Sequence, residues 1–163
     1  MKVMSAPWRM DYIKSKKGGG CVFCRDDVRG EELVLWEGRT AFVMMNRYPY
    51  VSGHLMIIPC RHLSRVEDLS PDERREMFDL MDVAIRVLTD VMHPEGFNAG
   101  INLGKAAGAG IDDHLHIHVV PRWVGDTNFM SVVGEVRVIP EDLHKTWEHL
   151  CPHFEKYCRE GLR

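Results

Sequence analysis

Residues 114–123 read His-Leu-His-Ile-His-Val-Val-Pro-Arg-Trp. His114, His116 and His118 alternate with Leu115, Ile117 and Val119, and a period of two rich in β-branched residues predicts a strand that ends at Pro121. Alternation sets three imidazoles on one face, roughly 6–7 Å apart at the rise of a strand. A group the size of a phosphate could touch two of them. The opposite face is apolar and has to be packed. One histidine alone would read as an ordinary partly buried residue, but three costly polar groups in strict alternation on an otherwise good core strand point to chemistry. The chain is therefore expected to build a sheet with one covered face and one face that lines a site.

The neighbouring segments supply that sheet. Residues 33–45 hold two apolar runs with Glu37, Gly38 and Arg39 as the turn between them, which predicts a hairpin. After Asn46, Arg47, Tyr48 and Pro49, residues 53–59 resume as a third strand ended by proline, giving an antiparallel meander. Ser70, Pro71, Asp72 and Glu73 form a capping box with proline at the first helical position. Met77, Leu80, Met81, Ala84, Leu88 and Val91 follow as one apolar stripe that stops before Pro94. Residues 97–103 read as a fourth strand and lead into Gly104, Lys105, Ala106, Ala107, Gly108, Ala109 and Gly110. Such small residues let main-chain N–H groups approach an anion closely. Short apolar runs at 130–133 and 136–139 predict further strands. Beyond Pro140, Leu143, Trp147, Leu150, Phe154 and Tyr157 recur at helical spacing, with Pro152 expected to kink or split the helix.

The triad pattern resembles the signature of the histidine triad (HIT) family of nucleotide hydrolases and transferases. Residues 8–13, 21–24, 46–49, 53–59, 96–104 and 122–129 are similar to the branch related to diadenosine tetraphosphate phosphorylases. Together they cover most of residues 8–140 and leave about the last twenty unmatched. The resemblance implies an α+β histidine triad fold, with a long helix packed across an antiparallel meander sheet and a C-terminal helix. It also implies a homodimer. One domain is expected over 1–163, with an N-terminal arm at 1–20 and a helical extension at 140–163.

The implied activity is cleavage of a dinucleoside polyphosphate through a covalent nucleotidyl-histidine intermediate, with phosphate or water as acceptor. His116 is the expected nucleophile, because a neutral imidazole attacks phosphorus with one nitrogen while a backbone carbonyl fixes the other. His118 is expected to hydrogen-bond the α-phosphate and the leaving oxygen, and His114 to orient the strand. By the same resemblance Phe42, Val43 and Met44 line a base pocket. Asn46 either contacts ribose hydroxyls or forms a turn. Asn102, Lys105, Gly108 and Gly110 complete the nucleotide-binding set with His118. The better-known hydrolase branches carry glutamine or serine four residues before the first triad histidine. This chain has Gly110 there, which removes a side chain for positioning water and leaves room for phosphate. A nucleoside phosphoramidase, an adenylyl-conjugate hydrolase and a non-catalytic nucleotide sensor are the alternatives.

Cys21 and Cys24 form a C-x₂-C knuckle, half of a zinc site by spacing alone or else a pair of reduced thiols beside Phe23. The resemblance adds His62 and His114 as the other two ligands of a closed structural zinc site. A zinc ribbon would need a second such knuckle, and Cys60, Cys151 and Cys158 do not provide one. Residues 8–20 pair Trp8, Arg9 and Tyr12 with a glycine-rich linker, and Arg122 offers a guanidinium suited either to oxyanions or to solvent.

A hydrophobic content of 45% with 28% charged residues suits one globular domain. The net charge of −3 disfavours a long nucleic acid as partner and allows a local pocket for a small polyphosphate. No apolar run approaches about 18 residues and no signal-like start is seen. Together with five cysteines, this predicts a cytosolic protein, without membrane attachment or organic cofactor.

Overall fold

The computed structural model describes residues 21–24, 33–108, 110–126 and 142–161. Strands β1 (Val34–Glu37), β2 (Ala41–Met45) and β3 (Leu55–Pro59) run as the expected meander, followed by helix α1 (Pro71–Met92), strands β4 (Gly96–Ile101) and β5 (Ile117–Arg122), and helix α2 (Leu143–Gly161). Every pairing is antiparallel, and the order across the sheet is β1-β2-β3-β5-β4. The meander thus ends at β3, and β5, the last of the described strands, inserts between β3 and β4. The arm at 1–20 and the strands expected at 130–133 and 136–139 lie outside the described residues.

Ladder partners share a face, so the register sorts the side chains. His118 pairs with Met56, which pairs with Met44, and on the other side His118 pairs with Gly100. Val43, Met45, Leu55, Ile57 and Val119 point the other way and are 0–1% exposed. That is the face α1 covers, packing on β2, β3 and β5 through Met77, Leu80, Ala84, Val87 and Leu88. Burying each such side chain stabilises by ~1.5–3 kcal/mol, so α1 supplies much of the core that holds the triad strand flat.

Two glycines are required by contact. A Cβ on Gly38 would sit 2.6 Å from the Glu76 carboxylate, which accepts the N–H groups of Arg39 and Thr40 and the Thr40 hydroxyl. Helix α1 thereby ties down the hairpin turn. Gly53 has φ of +76° and lies where a Cβ would meet Met92 Sδ at 2.6 Å, and it turns the chain into His54 and β3.

The start of α1 is a full capping box: Glu73 N–H donates to Ser70 Oγ at 3.2 Å, and Ser70 N–H to Glu73 Oε2 at 2.7 Å. Glu73 also accepts two bonds from Arg61, Nε to Oε1 at 3.0 Å and Nη2 to Oε2 at 2.8 Å. Helix α2 packs on α1 and β1. Leu150 and Phe154 are buried, Trp147 Nε1 donates to the Val34 carbonyl at 2.8 Å, and Tyr157 bonds Asp90. Of the kink or split expected at Pro152, the split does not occur, since the helix continues through it. Pro152 is exposed, so water can satisfy the carbonyl one turn back that its missing N–H leaves without a helical partner. Pro121 likewise lies within β5 instead of ending it. The ladder with β3 stops at Val119, so on that side no N–H is needed at Pro121.

Arg61, and the Ser70 bonds after it, hold the Glu73 carboxyl at about 2, well below its ordinary 4.5. A carboxylate whose folded pKa is depressed stabilises the fold above its unfolded value, and that stability is lost as pH falls through the folded one. Between pH 4.5 and 2, the melting temperature of Glu73→Gln is expected to fall less steeply than that of the parent. Thermal melts across that range check it, and parallel slopes would remove Glu73 from the acid response.

Candidate active site

The triad segment departs from the straight strand expected at 114–120, because β5 begins at Ile117. His114 and His116 precede it in a segment anchored by other bonds. Leu115 N–H donates to the Leu63 carbonyl at 2.7 Å, and His114 Nε2 donates to the Pro59 carbonyl at 2.9 Å. His116 Nδ1 in turn donates to the carbonyl of His114 at 2.8 Å. The His116 and His118 rings meet edge to face at 4.7 Å between centroids. The His114 ring packs against His62 at 5.2 Å and Phe23 at 5.5 Å.

Partners assign the tautomers. His116 keeps its proton on Nδ1, facing a carbonyl, so Nε2 carries a lone pair. His118 Nδ1 lies 3.0 Å from Nε2 of His54, and His54 Nδ1 accepts the Tyr50 N–H at 3.1 Å. His54 therefore bears its proton on Nε2 and donates to His118, which leaves the His118 proton on Nε2. One imidazole of the pair presents a lone pair and the other an N–H. Burial lowers the pKa of both, that of His118 to about 4 with the neighbouring His116 adding to the effect. Both rings are neutral at pH 7.

His54 is fully buried and was read from sequence only as part of the third strand. The available signal was an imidazole between Gly53 and the apolar run Leu55–Pro59, a position that usually takes a packing residue.

The structure divides the expected nucleotide set. Phe42 and Met44 share the His118 face, whereas Val43 belongs to the face under α1 and cannot line the same pocket. Asn46 forms a turn, its Oδ1 accepting the Tyr48 N–H at 2.8 Å, so its NH₂ end is the part suited to a ribose. Asn102 follows β4 by one residue, two positions past Gly100. The Lys105 ammonium stands in solvent, 3.8 Å from Asp112. Gly108, with φ of +81°, closes a short 3₁₀ turn, Lys105–Ala107, and Gly110 is exposed two residues on. Arg122 is engaged by Asp126, at 2.6 and 2.8 Å, and by Asn98 at 2.7 Å, so its guanidinium is not directed to an oxyanion here.

Cys21, Cys24, His62 and His114 converge, with all four ligand atoms within 4.8 Å of one another. Cys21 Sγ is 3.2 Å and Cys24 Sγ 3.4 Å from His114 Nδ1, and Cys24 Sγ is 3.2 Å from His62 Nδ1. Zinc–sulfur and zinc–nitrogen bonds at a tetrahedral angle would put these atoms about 3.5 Å apart. His114 donates Nε2–H to Pro59, so its Nδ1 lone pair faces the sulfurs, the tautomer a metal ligand needs. The residues fit a Cys₂His₂ metal centre.

The tautomers can be checked directly. At pH 7, nitrogen-15 NMR of the imidazoles is expected to show His116 protonated on Nδ1 and His118 on Nε2. In His54→Phe the His118 signal should become a tautomer mixture. A His118 with its proton on Nδ1 in the parent protein would break this assignment.

Comparison with known proteins agrees with this geometry. A family model described as HIT domain matches residues 30–124. The chain is 47% identical over 116 residues to a Mycobacterium tuberculosis protein named AP-4-A phosphorylase, a match covering 71% of this chain and 60% of the relative's length. It is 30% identical over 122 residues to a bis(5'-adenosyl)-triphosphatase from Dictyostelium discoideum, covering 71% of this chain and 81% of that one. Among solved structures, a Zn-bound histidine triad family protein from Mycobacterium smegmatis superposes with a TM-score of 0.69 at 28% identity, over 86% of this chain and 97% of that chain. Three imidazoles around one carbonyl-anchored segment, on this sheet and with this sequence match, place the chain in the histidine triad (HIT) domain family.

Proposed function

We propose that the chain cleaves dinucleoside polyphosphates by transferring a nucleotidyl group through Nε2 of His116. The observation that carries this reading is the pairing of tautomers, a lone pair on His116 beside an N–H on His118. The His116 lone pair attacks the α-phosphorus, a P–N bond forms, and the P–O bond to the departing phosphate chain breaks. His118 holds the leaving oxygen with a hydrogen bond from its Nε2–H, and the phosphate chain departs as an anion. In the second step an acceptor oxygen attacks the same phosphorus, the P–N bond breaks, His116 regains its lone pair, and any proton of the acceptor passes to solvent. Splitting the displacement exchanges one difficult step for two easier ones. Ala107 and Gly108 use their N–H groups within the 3₁₀ turn, and the other main-chain N–H groups described between β4 and β5, Leu115 aside, are suited to the non-bridging oxygens.

Inorganic phosphate is the acceptor favoured here. Gly110 brings no side chain to hold a water, and the relative at 47% identity is named a phosphorylase. Phe42 and Met44, on the His118 face, would meet the base, with the Asn46 NH₂ on ribose and Asn102, Lys105, Gly108 and Gly110 around the phosphates.

Cys21, Cys24, His62 and His114 would hold a structural zinc, supported by their spacing and by the Zn-bound relative. When bound, the ion would cross-link the segment at 21–24 to the triad. The same reading makes the protein a cytosolic homodimer. Among the described residues β4 pairs on one side only, and Phe78 is 60% exposed on α1. No helix among the described residues is long and apolar enough to cross a membrane.

Incubation with diadenosine tetraphosphate is expected to give ADP and ATP only when phosphate is present. AMP in its absence would mark hydrolysis, and tight binding without turnover would mark a sensor. His116→Ala should lower turnover by about a thousandfold or more with nucleotide affinity retained, and surviving turnover would reject His116 as nucleophile. Metal analysis should find one zinc per chain, lost in Cys24→Ser with a lower melting temperature. A zinc-free protein would remove the metal centre and leave the enzyme reading in place.

A further inference from the structure

Tyr50 lies in the connection between β2 and β3, away from the triad in sequence, and its ring lies over the other histidine pair. Its centroid is 4.6 Å from that of His54 and 6.0 Å from that of His118, tilted 32° and 33° to them, both within the range of aromatic contact. Tyr50 is 44% exposed, whereas His54 beneath it is fully buried and His118 half-buried, so the tyrosine covers the His54 side of the pair. Its own main-chain N–H donates to His54 Nδ1, the bond that begins the relay to His118. One residue therefore both sets the relay's polarity and roofs it.

We infer that Tyr50 is a positioning residue whose ring keeps water from the hydrogen bond between His54 and His118 Nδ1, so that His118 stays neutral with its proton on Nε2 facing the open site. Its value to catalysis rests on the proposed function, but the placement does not. Among the described residues, the groups that face His118 are His54 and Tyr50 from the β2–β3 side and His116 from its own segment. Its ladder partners Met56 and Gly100 bring no charge. None of these described neighbours is a carboxylate, so burial, with His116 adding to it, opposes protonation. A hole in the roof admits water, and water both stabilises the cation and competes for Nδ1.

The tautomer and charge of His118 are read by NMR titration of the full-length protein. In the parent His118 is expected to titrate near 4, where burial places it. In Tyr50→Ala the midpoint should move up toward the ordinary 6.5, with loss of the pure Nε2 tautomer, and Tyr50→Phe should restore both. The acid limb of kcat/KM should shift upward in the alanine variant in step with the titration. A Tyr50→Ala variant that melts lower but keeps the parent's His118 midpoint and tautomer would overturn the inference, as would failure of phenylalanine to rescue. A protein that titrates as described but turns over no nucleotide would keep this inference and reject the proposed function.

Discussion

His114 is the junction on which the site depends, because both of its ring nitrogens and its carbonyl have separate tasks. Nε2–H is fixed on the Pro59 carbonyl, which ties the triad segment to the end of β3. That bond leaves Nδ1 facing the two sulfurs of Cys21 and Cys24. The residue's own carbonyl then accepts from His116 Nδ1 and decides which nitrogen of His116 keeps a lone pair. A buried imidazole with an unmet nitrogen would cost on the order of 1–3 kcal/mol. Here both nitrogens are matched, so rotating the ring breaks contacts at either end.

The remaining architecture keeps that junction in place. Arg61 reaches from the segment before His62 to Glu73, the capping residue of α1, and also donates to the Asp68 carbonyl at 2.6 Å. The helix that buries the rear of the sheet thus also braces the loop that presents His62. At the other end of the sheet, Glu76 on the next turn of α1 holds the β1–β2 turn. Charge-assisted bonds to main-chain N–H groups and a guanidinium are roughly twice as strong as neutral ones. Two carboxylates of one helix, Glu73 and Glu76, so tie the sheet, the cysteine–histidine cluster and the triad together.

What could be read in the sequence was what depends on near neighbours. The capping box at Ser70, the apolar stripe of α1 and the hairpin around Gly38 are set within a few residues, and each stands where its pattern put it. Placement that depends on distant pairing was less legible. His54 acts on a ring 64 residues away, and nothing beside it in the chain says so. The bend that takes His114 and His116 out of β5 is imposed by carbonyls of Pro59 and Leu63, which a period-two pattern cannot show. Val43 was grouped with Phe42 and Met44 although a strand sends alternate side chains to opposite faces. Arg122 leaves two readings open in the sequence, and the carboxylate of Asp126, four residues on, takes the guanidinium.

The order β1-β2-β3-β5-β4 has a consequence for how the protein comes into being. β3 waits for a neighbour that is made after α1 and β4, and Leu55 finds Val119 only across more than a third of the chain. Until the segment through Arg122 leaves the ribosome, β3 has a bare margin. Closing so long a loop is entropically slow. The imidazoles and thiols can meet only after that pairing, so a nascent chain stalled before that point would hold four of the five described strands and α1 but no assembled reactive pocket.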